Sequence, residues 1–269
     1  LFGTPLTATI FAMEVVSIGI MEYAALVPCA IASLIAREMA DLVGARAEQF
    51  PVPASVALDI KSGALIVLLA LLCAAVSILF CEVLHRTERL FKSRMKNPWI
   101  RVVVGALLVI VLAKVLGTTD YLGAGMNIVE RAIHGETEPA AFLLKIIFTA
   151  ITLSCGFKGG EIVPTLFVGA TFGCLFGQVT GLSPSLTAAC GMAAVFCGVT
   201  NCPIASMLIG FELFGFEGVS YILIAISISY MLSGYHGLYK EQIIVYSKYH
   251  PKFINRLSGD ERFDGQDYE

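Results

Sequence analysis

Charge is what this sequence has least of. Only 14% of its 269 residues are Asp, Glu, Lys or Arg, while 57% are hydrophobic and the mean hydropathy is +0.80. An ordinary soluble domain carries about 25% charged residues, so a lipid bilayer is the expected solvent. No basic face with interleaved aromatics occurs, and the net charge is −3, which excludes a nucleic-acid partner. The eight cysteines form no C-x-x-C pair and no Cys/His ligand spacing. They read as small buried hydrophobes, and no metal or cofactor is expected. H-E-x-x-H, G-x-S-x-G and paired-aspartate patterns are all missing, which argues against an enzyme. The opening Leu1-Phe2-Gly3-Thr4-Pro5 has neither a basic leader region nor an initiator methionine, so residue 1 is not expected to be the biological start.

What is present is a series of apolar stretches, at about Leu6–Ala36, Gly63–Cys81, Val102–Gly117, Ala140–Phe157, Ile162–Phe211 and Val219–Gly234. Gly63–Cys81 alone runs 19 residues without a charge, close to the ~20 a helix needs to cross a bilayer. Ile162–Phe211 has no charge over 50 residues, yet Pro164, Pro184 and Pro203 cut it. Proline frees backbone groups that lipid cannot satisfy, so this stretch is expected to fold as several short, tilted helices. Such interruptions are the sequence mark of a transporter's binding site, although a single proline can equally be a structural kink. Gly169, Gly173, Gly177 and Gly181 recur every four residues and predict a helix face that another backbone approaches closely. Arg86, Arg89, Lys92, Arg94, Lys96 and Arg101 crowd one short loop, which the positive-inside rule places in the cytoplasm. Lys240, Lys248, Lys252, Arg256 and Arg262 put the C-terminal tail on the same side.

An internal match appears at an offset of 198: Pro5 through Glu14 is answered by Pro203 through Glu212. It divides the chain into the end of a first repeat (1–50), a second repeat (51–246) and a short polar tail (247–269). Intramembrane carboxylates are functional by default. The matching positions of Glu14 and Glu212 favour another reading, as acceptors for backbone N–H groups at helix contacts. The four histidines, His85, His134, His236 and His250, show no partner spacing and are assigned no role.

The segment Cys155-Gly156-Phe157-Lys158-Gly159-Gly160-Glu161-Ile162-Val163-Pro164 joins two apolar stretches, with Pro164 suited to the first turn of a new helix. That helix start would aim unpaired N–H groups and a dipole end outward, and paired glycines let an anion approach the backbone. It is not a phosphate loop, because the Lys and Ser/Thr ending is absent.

Gly-Gly-x-x-x-Pro opening a glycine-rich apolar helix resembles the G-x-F-x-P motif of the CLC family of chloride channels and halide/proton antiporters. Gly3-Thr4-Pro5-Leu6 and Asn201-Cys202-Pro203-Ile204 resemble the family's x-A-P-L turns, and Gly123-Ala124-Gly125-Met126-Asn127 its upstream glycine-rich loop. Gly234-Tyr235-His236-Gly237-Leu238-Tyr239 resembles the late element whose tyrosine coordinates the central anion. The resemblance covers about residues 1–246. It implies an all-α polytopic membrane protein with an inverted-repeat fold of short, tilted, broken helices, whose N-terminal part is missing from this chain. It also implies a homodimer in a bacterial plasma membrane. Gly160, Ile162 and Val163 would offer backbone donors to the halide, and Tyr239 its hydroxyl; the alternative for Tyr239 is an aromatic at the membrane–water interface.

Two departures sharpen the resemblance. Glu161 stands where the family motif is apolar, and a carboxylate beside an anion site must be protonated or displaced when a halide arrives. Glu161 is therefore a proton-coupling candidate. The fluoride-exporting subgroup is similar in reading Gly-Gly-Glu-x-x-Pro, with threonine usual where this chain has Val163. At the internal relay position, where chloride/proton antiporters carry a second glutamate after Glu14, this chain has Val15, as in fluoride exporters and in proton-independent chloride channels. The expectation is fluoride export in exchange for protons, with a chloride channel or chloride/proton antiporter as the alternative.

Overall fold

The computed structural model describes residues 2–45, 50, 59–216, 218–250 and 252–258. The stretch 51–58 after the first expected domain boundary lies outside the described residues, as do Arg262 and the side chain of Arg256.

The described chain is mainly helical. α1 (Pro5–Glu14) is followed by a two-residue strand β1 (Ser17–Ile18), a 3-10 turn (Tyr23–Ala25) and α2 (Leu26–Leu42). α3 (Ile60–Arg94), α4 (Pro98–Leu116), α5 (Met126–Ile133) and α6 (Ala141–Ser154) lead into the interrupted stretch. There the three prolines yield three helices, α7 (Ile162–Thr180), α8 (Pro184–Thr200) and α9 (Pro203–Phe214), with α10 (Val219–Leu232) following. Pro184 and Pro203 occupy the first helical position, where the missing N–H costs nothing. Asp59 and Asn97 cap α3 and α4 by accepting from Ser62 N (3.2 Å) and Trp99 N (2.9 Å).

Four of these helical segments, Tyr23–Leu42, Ile60–Arg94, Pro98–Leu116 and Ile162–Thr180, are long and apolar enough to cross a membrane. Their burial is uneven. α7 is packed inside, and every residue of α8 from Ser185 to Thr200 is buried. On α2 and α4, by contrast, Val27, Ile31, Leu34, Val103, Leu107 and Val111 stand exposed, which suits lipid and would be costly in water. At about 1.5 Å per residue the 35 residues of α3 reach roughly 52 Å. A hydrocarbon core is only ~30 Å thick, so the charged end of α3, Glu82–Arg94, extends past it.

The glycine stripe behaves as predicted at three of its four positions. A Cβ on Gly169 would lie 2.5 Å from the Gly191 carbonyl oxygen, and Gly173 and Gly177 are closed off by Thr187 and Pro184 of α8. Gly181 is different: it ends α7 in the left-handed conformation, φ +73°, with nothing beside it.

Among the described residues, a small sheet departs from the all-helical expectation. β2 (Ile243–Tyr246) pairs in parallel with β1 and antiparallel with β3 (Phe253–Leu257). Part of the expected tail, Phe253–Leu257, is thereby the edge strand of this sheet, on the far side of β2 from β1. Ile243, Ile244 and Val245 supply the β-branched run that favours a strand there.

Candidate anion site

α6 ends at Ser154, and Gly156 turns the chain with φ +107°. Residues 157–160 are non-helical, and α7 starts at Ile162 with Glu161 as its N-cap residue. The Glu161 side chain makes no capping hydrogen bond, although a carboxylate at this position ordinarily would. It lines a cavity of about 350 Å³ instead. The first-turn N–H groups of α7 lack intrahelical acceptors, and the Gly159-Gly160 break lies immediately before them in the chain.

Tyr239 lines the same cavity as Glu161. The segment carrying it is fixed on several sides. Leu238 N donates to Val199 O at 2.9 Å and Asn201 Nδ2 to His236 O at 3.0 Å. The His85 ring Nε2 lies 2.9 Å from Gly237 O, and a carbonyl only accepts, so Nε2 carries the proton. Lys240 bonds the Glu88 carboxylate, whose other oxygen accepts from Lys92 at 2.6 Å. The Tyr239 segment and the charged end of α3 are therefore at one end of the molecule.

Gly160 and Val163 line a second cavity of about 410 Å³, with Tyr121, Lys145 and Lys158 among its walls. Ile162 lines neither cavity; it packs against the core. The helix start thus separates two spaces, with the carboxylate facing one and the glycine break the other.

Four residues here carry no role in the sequence reading. Lys145, 1% exposed, donates to Gly123 O (2.7 Å) and Tyr121 O (3.3 Å) and stands over the Phe167 ring at 4.9 Å. It ties down the glycine-rich loop before α5. Its signal was a lone charge inside the apolar stretch Ala140–Phe157. His85 and Glu88 line the Glu161 cavity, and their spacing of three puts them on one face of α3. The Tyr121 hydroxyl donates to Glu138 Oε2 at 3.0 Å. Burial, and then that carboxylate, push the phenol up to about 12.

Among the described residues, no group of three or more His, Cys, Asp or Glu side chains could hold a metal ion. Membrane-length apolar helices, short broken helices, a glycine-flanked helix start and a tyrosine on the same cavity as Glu161 together define the class, a helical membrane protein. The family model for voltage-gated chloride channels matches residues 1–234, and the chain belongs to that family, the CLC family. It is 32% identical to the "Chloride/fluoride channel protein" of Pseudomonas syringae pv. tomato, covering 98% of this chain and 60% of that one. It is 28% identical to the voltage-gated ClC-type chloride channel ClcB of Escherichia coli, covering 86% of this chain and 58% of the relative. None of these relatives is described as an enzyme. The chain spans about 60% of the length of the curated relatives it matches.

Among solved structures, a CLC-type fluoride/proton antiporter superposes with a TM-score of 0.85 at 32% identity, covering 90% of this chain and 62% of that one. A eukaryotic CLC transporter superposes with a TM-score of 0.66 at 20% identity over 86% of this chain and 41% of that one, which shows the shared fold.

Proposed function

We propose that this chain forms part of a halide transporter that exports fluoride in exchange for protons, working as a homodimer in a bacterial plasma membrane with the C-terminal end in the cytoplasm. One observation carries the reading: the uncapped Glu161 carboxylate and Tyr239 share a cavity at the start of α7. The Tyr239 hydroxyl is a donor to the halide in the Glu161 cavity, and the backbone N–H groups of Gly160, Ile162 and Val163, at the helix start that borders the other cavity, are donors to it further along its path. They attract it without a full charge, so the halide can also leave. A halide and an ionised Glu161 repel each other, so occupancy by the anion favours the protonated carboxyl. That linkage is what couples the two ions. The antiporter relative is described as exchanging fluoride for protons, and Glu161 supports the same for this chain.

Anion efflux from liposomes tests the halide. Fluoride leaving much faster than chloride, with Tyr239→Phe slowing both, supports the reading. Equal chloride and fluoride flux would favour the alternative of a chloride channel or chloride/proton antiporter, to which Val15 and Val163 are also suited.

A further inference from the structure

His85 lies where two cavities meet. It lines the Glu161 and Tyr239 cavity, and it also lines a second one of about 270 Å³ between the charged end of α3 and the segment after α10. Each is large enough for several waters at roughly 30 Å³ apiece. If Glu161 gains and loses a proton during transport, that proton needs a path to the aqueous end of the molecule. The internal relay position of antiporters is Val15 here, which cannot carry it.

The groups facing the first cavity are unequal to that task. Glu88 accepts from both Lys92 and Lys240, which holds it as an ion-paired carboxylate. Lys240 is committed to that pair. Burial pushes the Tyr239 phenol up to about 12, so it holds its proton. Glu241 is exposed and lines the first cavity alone. The second cavity carries Cys81, Glu82, Arg89 and His236; His236 Nε2 is 3.8 Å from Glu82, which also accepts from Arg86 Nε at 2.9 Å. His85 and Lys240 both line the two cavities; Lys240 is held by Glu88, and His85 joins them with an imidazole, a group that can both take up and release a proton.

We propose that His85 is the proton-transfer residue between Glu161 and the cytoplasmic end. The inference rests on the reading of Glu161 as the proton carrier. Nε2 keeps its proton on the Gly237 carbonyl, so Nδ1 does the exchange. Protonated Glu161 passes its proton through cavity water to Nδ1, leaving a carboxylate and an imidazolium. The imidazolium releases that proton from Nδ1 into the second cavity and returns to the neutral Nε2–H form.

The test measures fluoride-driven proton flux and its pH profile in liposomes for His85→Gln, His85→Ala and Glu161→Gln, with calorimetric fluoride binding as the control. Glutamine keeps a donor for the Gly237 carbonyl and removes the titration. His85→Gln is expected to bind fluoride as the wild type does. Its coupled flux should fall by on the order of 10²-fold, the low end of what a positioned proton donor contributes. Added imidazole should restore flux in His85→Ala. Wild-type flux and pH profile in His85→Gln, or no imidazole rescue of His85→Ala, would overturn the inference and leave His85 as a brace for Gly237. If Glu161→Gln keeps its coupling, the underlying reading fails. If Glu161→Gln loses coupling while His85→Gln keeps it, only the role of His85 fails.

Discussion

Glu14 and Glu212 each cap the helix that carries the other. The Glu14 carboxylate at the end of α1 accepts from Ile204 N (3.1 Å) and Ala205 N (2.8 Å) in the first turn of α9. Glu212 near the end of α9 accepts from Leu6 N (3.0 Å) and Thr7 N (2.8 Å) in the first turn of α1, and from Thr7 Oγ1 at 2.6 Å. Each carboxylate satisfies N–H groups that its partner helix leaves without acceptors, and each meets the positive end of that helix's dipole.

The exchange predicts a structural phenotype. Glu14→Ala should lower stability by about 1–3 kcal/mol by leaving the buried Ala205 N–H and the part-buried Ile204 N–H unpaired. Glu14→Gln, which keeps one acceptor oxygen, should cost less. Thermal melting in detergent orders the two, and anion flux per folded molecule should be unchanged in both.

Backbone contact between α7 and α8 predicts a steep difference among glycines. Gly191→Ala pushes a methyl onto the Gly169 carbonyl and the Gly173 backbone, which cannot give way. It should cost at least about 3 kcal/mol, the upper range for overpacking. Gly181→Ala meets only left-handed strain, roughly 1 kcal/mol. Melting temperatures in that order support the packing.

Lys145→Met should loosen the loop before α5. Removing the ammonium leaves the Gly123 and Tyr121 carbonyls without their donor, at about 1–3 kcal/mol per orphaned group. Hydrogen exchange across residues 121–125 should rise in Lys145→Met and stay near the wild-type rate in Lys145→Arg. Unchanged exchange in the methionine variant would show that the loop does not depend on Lys145.

The C-terminal ribbon predicts a pH dependence. Lys248 bonds Asn201 Oδ1, Tyr230 O (3.1 Å) and Ser233 Oγ (3.2 Å), pinning the ribbon under the ends of α8 and α10. Burial pushes its ammonium down from 10.5 to about 8. The unfolded chain therefore binds more protons than the folded one between those values, and folded stability rises with pH across that window. The melting temperature of the wild type minus that of Lys248→Met should be flat below pH 8 and climb above it. A fall above pH 8 would contradict the assignment.

Much of this was legible in the sequence because lipid leaves the backbone few options. The prolines at 164, 184 and 203 marked three helix starts, and the runs at 102–117, 140–157 and 219–234 became helices close to their expected bounds, whereas 6–36 split into α1 and α2, and α3 runs on through Arg86–Arg94, which were expected in a loop. The pairing of Glu14 with Ile204 and Ala205 is what the match at offset 198 would require of a two-fold arrangement. The cavity walls were not legible. His85 and Glu88 meet Tyr239 across a separation of about 150 residues, and a long-range approach of this kind leaves no local pattern. α5 was too short and the β1–β2–β3 sheet too dependent on distant pairing to show in periodicity. Lys145 was visible as a charge in an apolar run, but its carbonyl partners are a property of the fold.

The central claim is that Glu161 carries the exchanged proton, and the number of protons moved per fluoride in liposomes bearing Glu161→Ala tests it most directly. Fluoride moving with proton coupling lost is the predicted result. Intact fluoride selectivity together with wild-type proton coupling would contradict it.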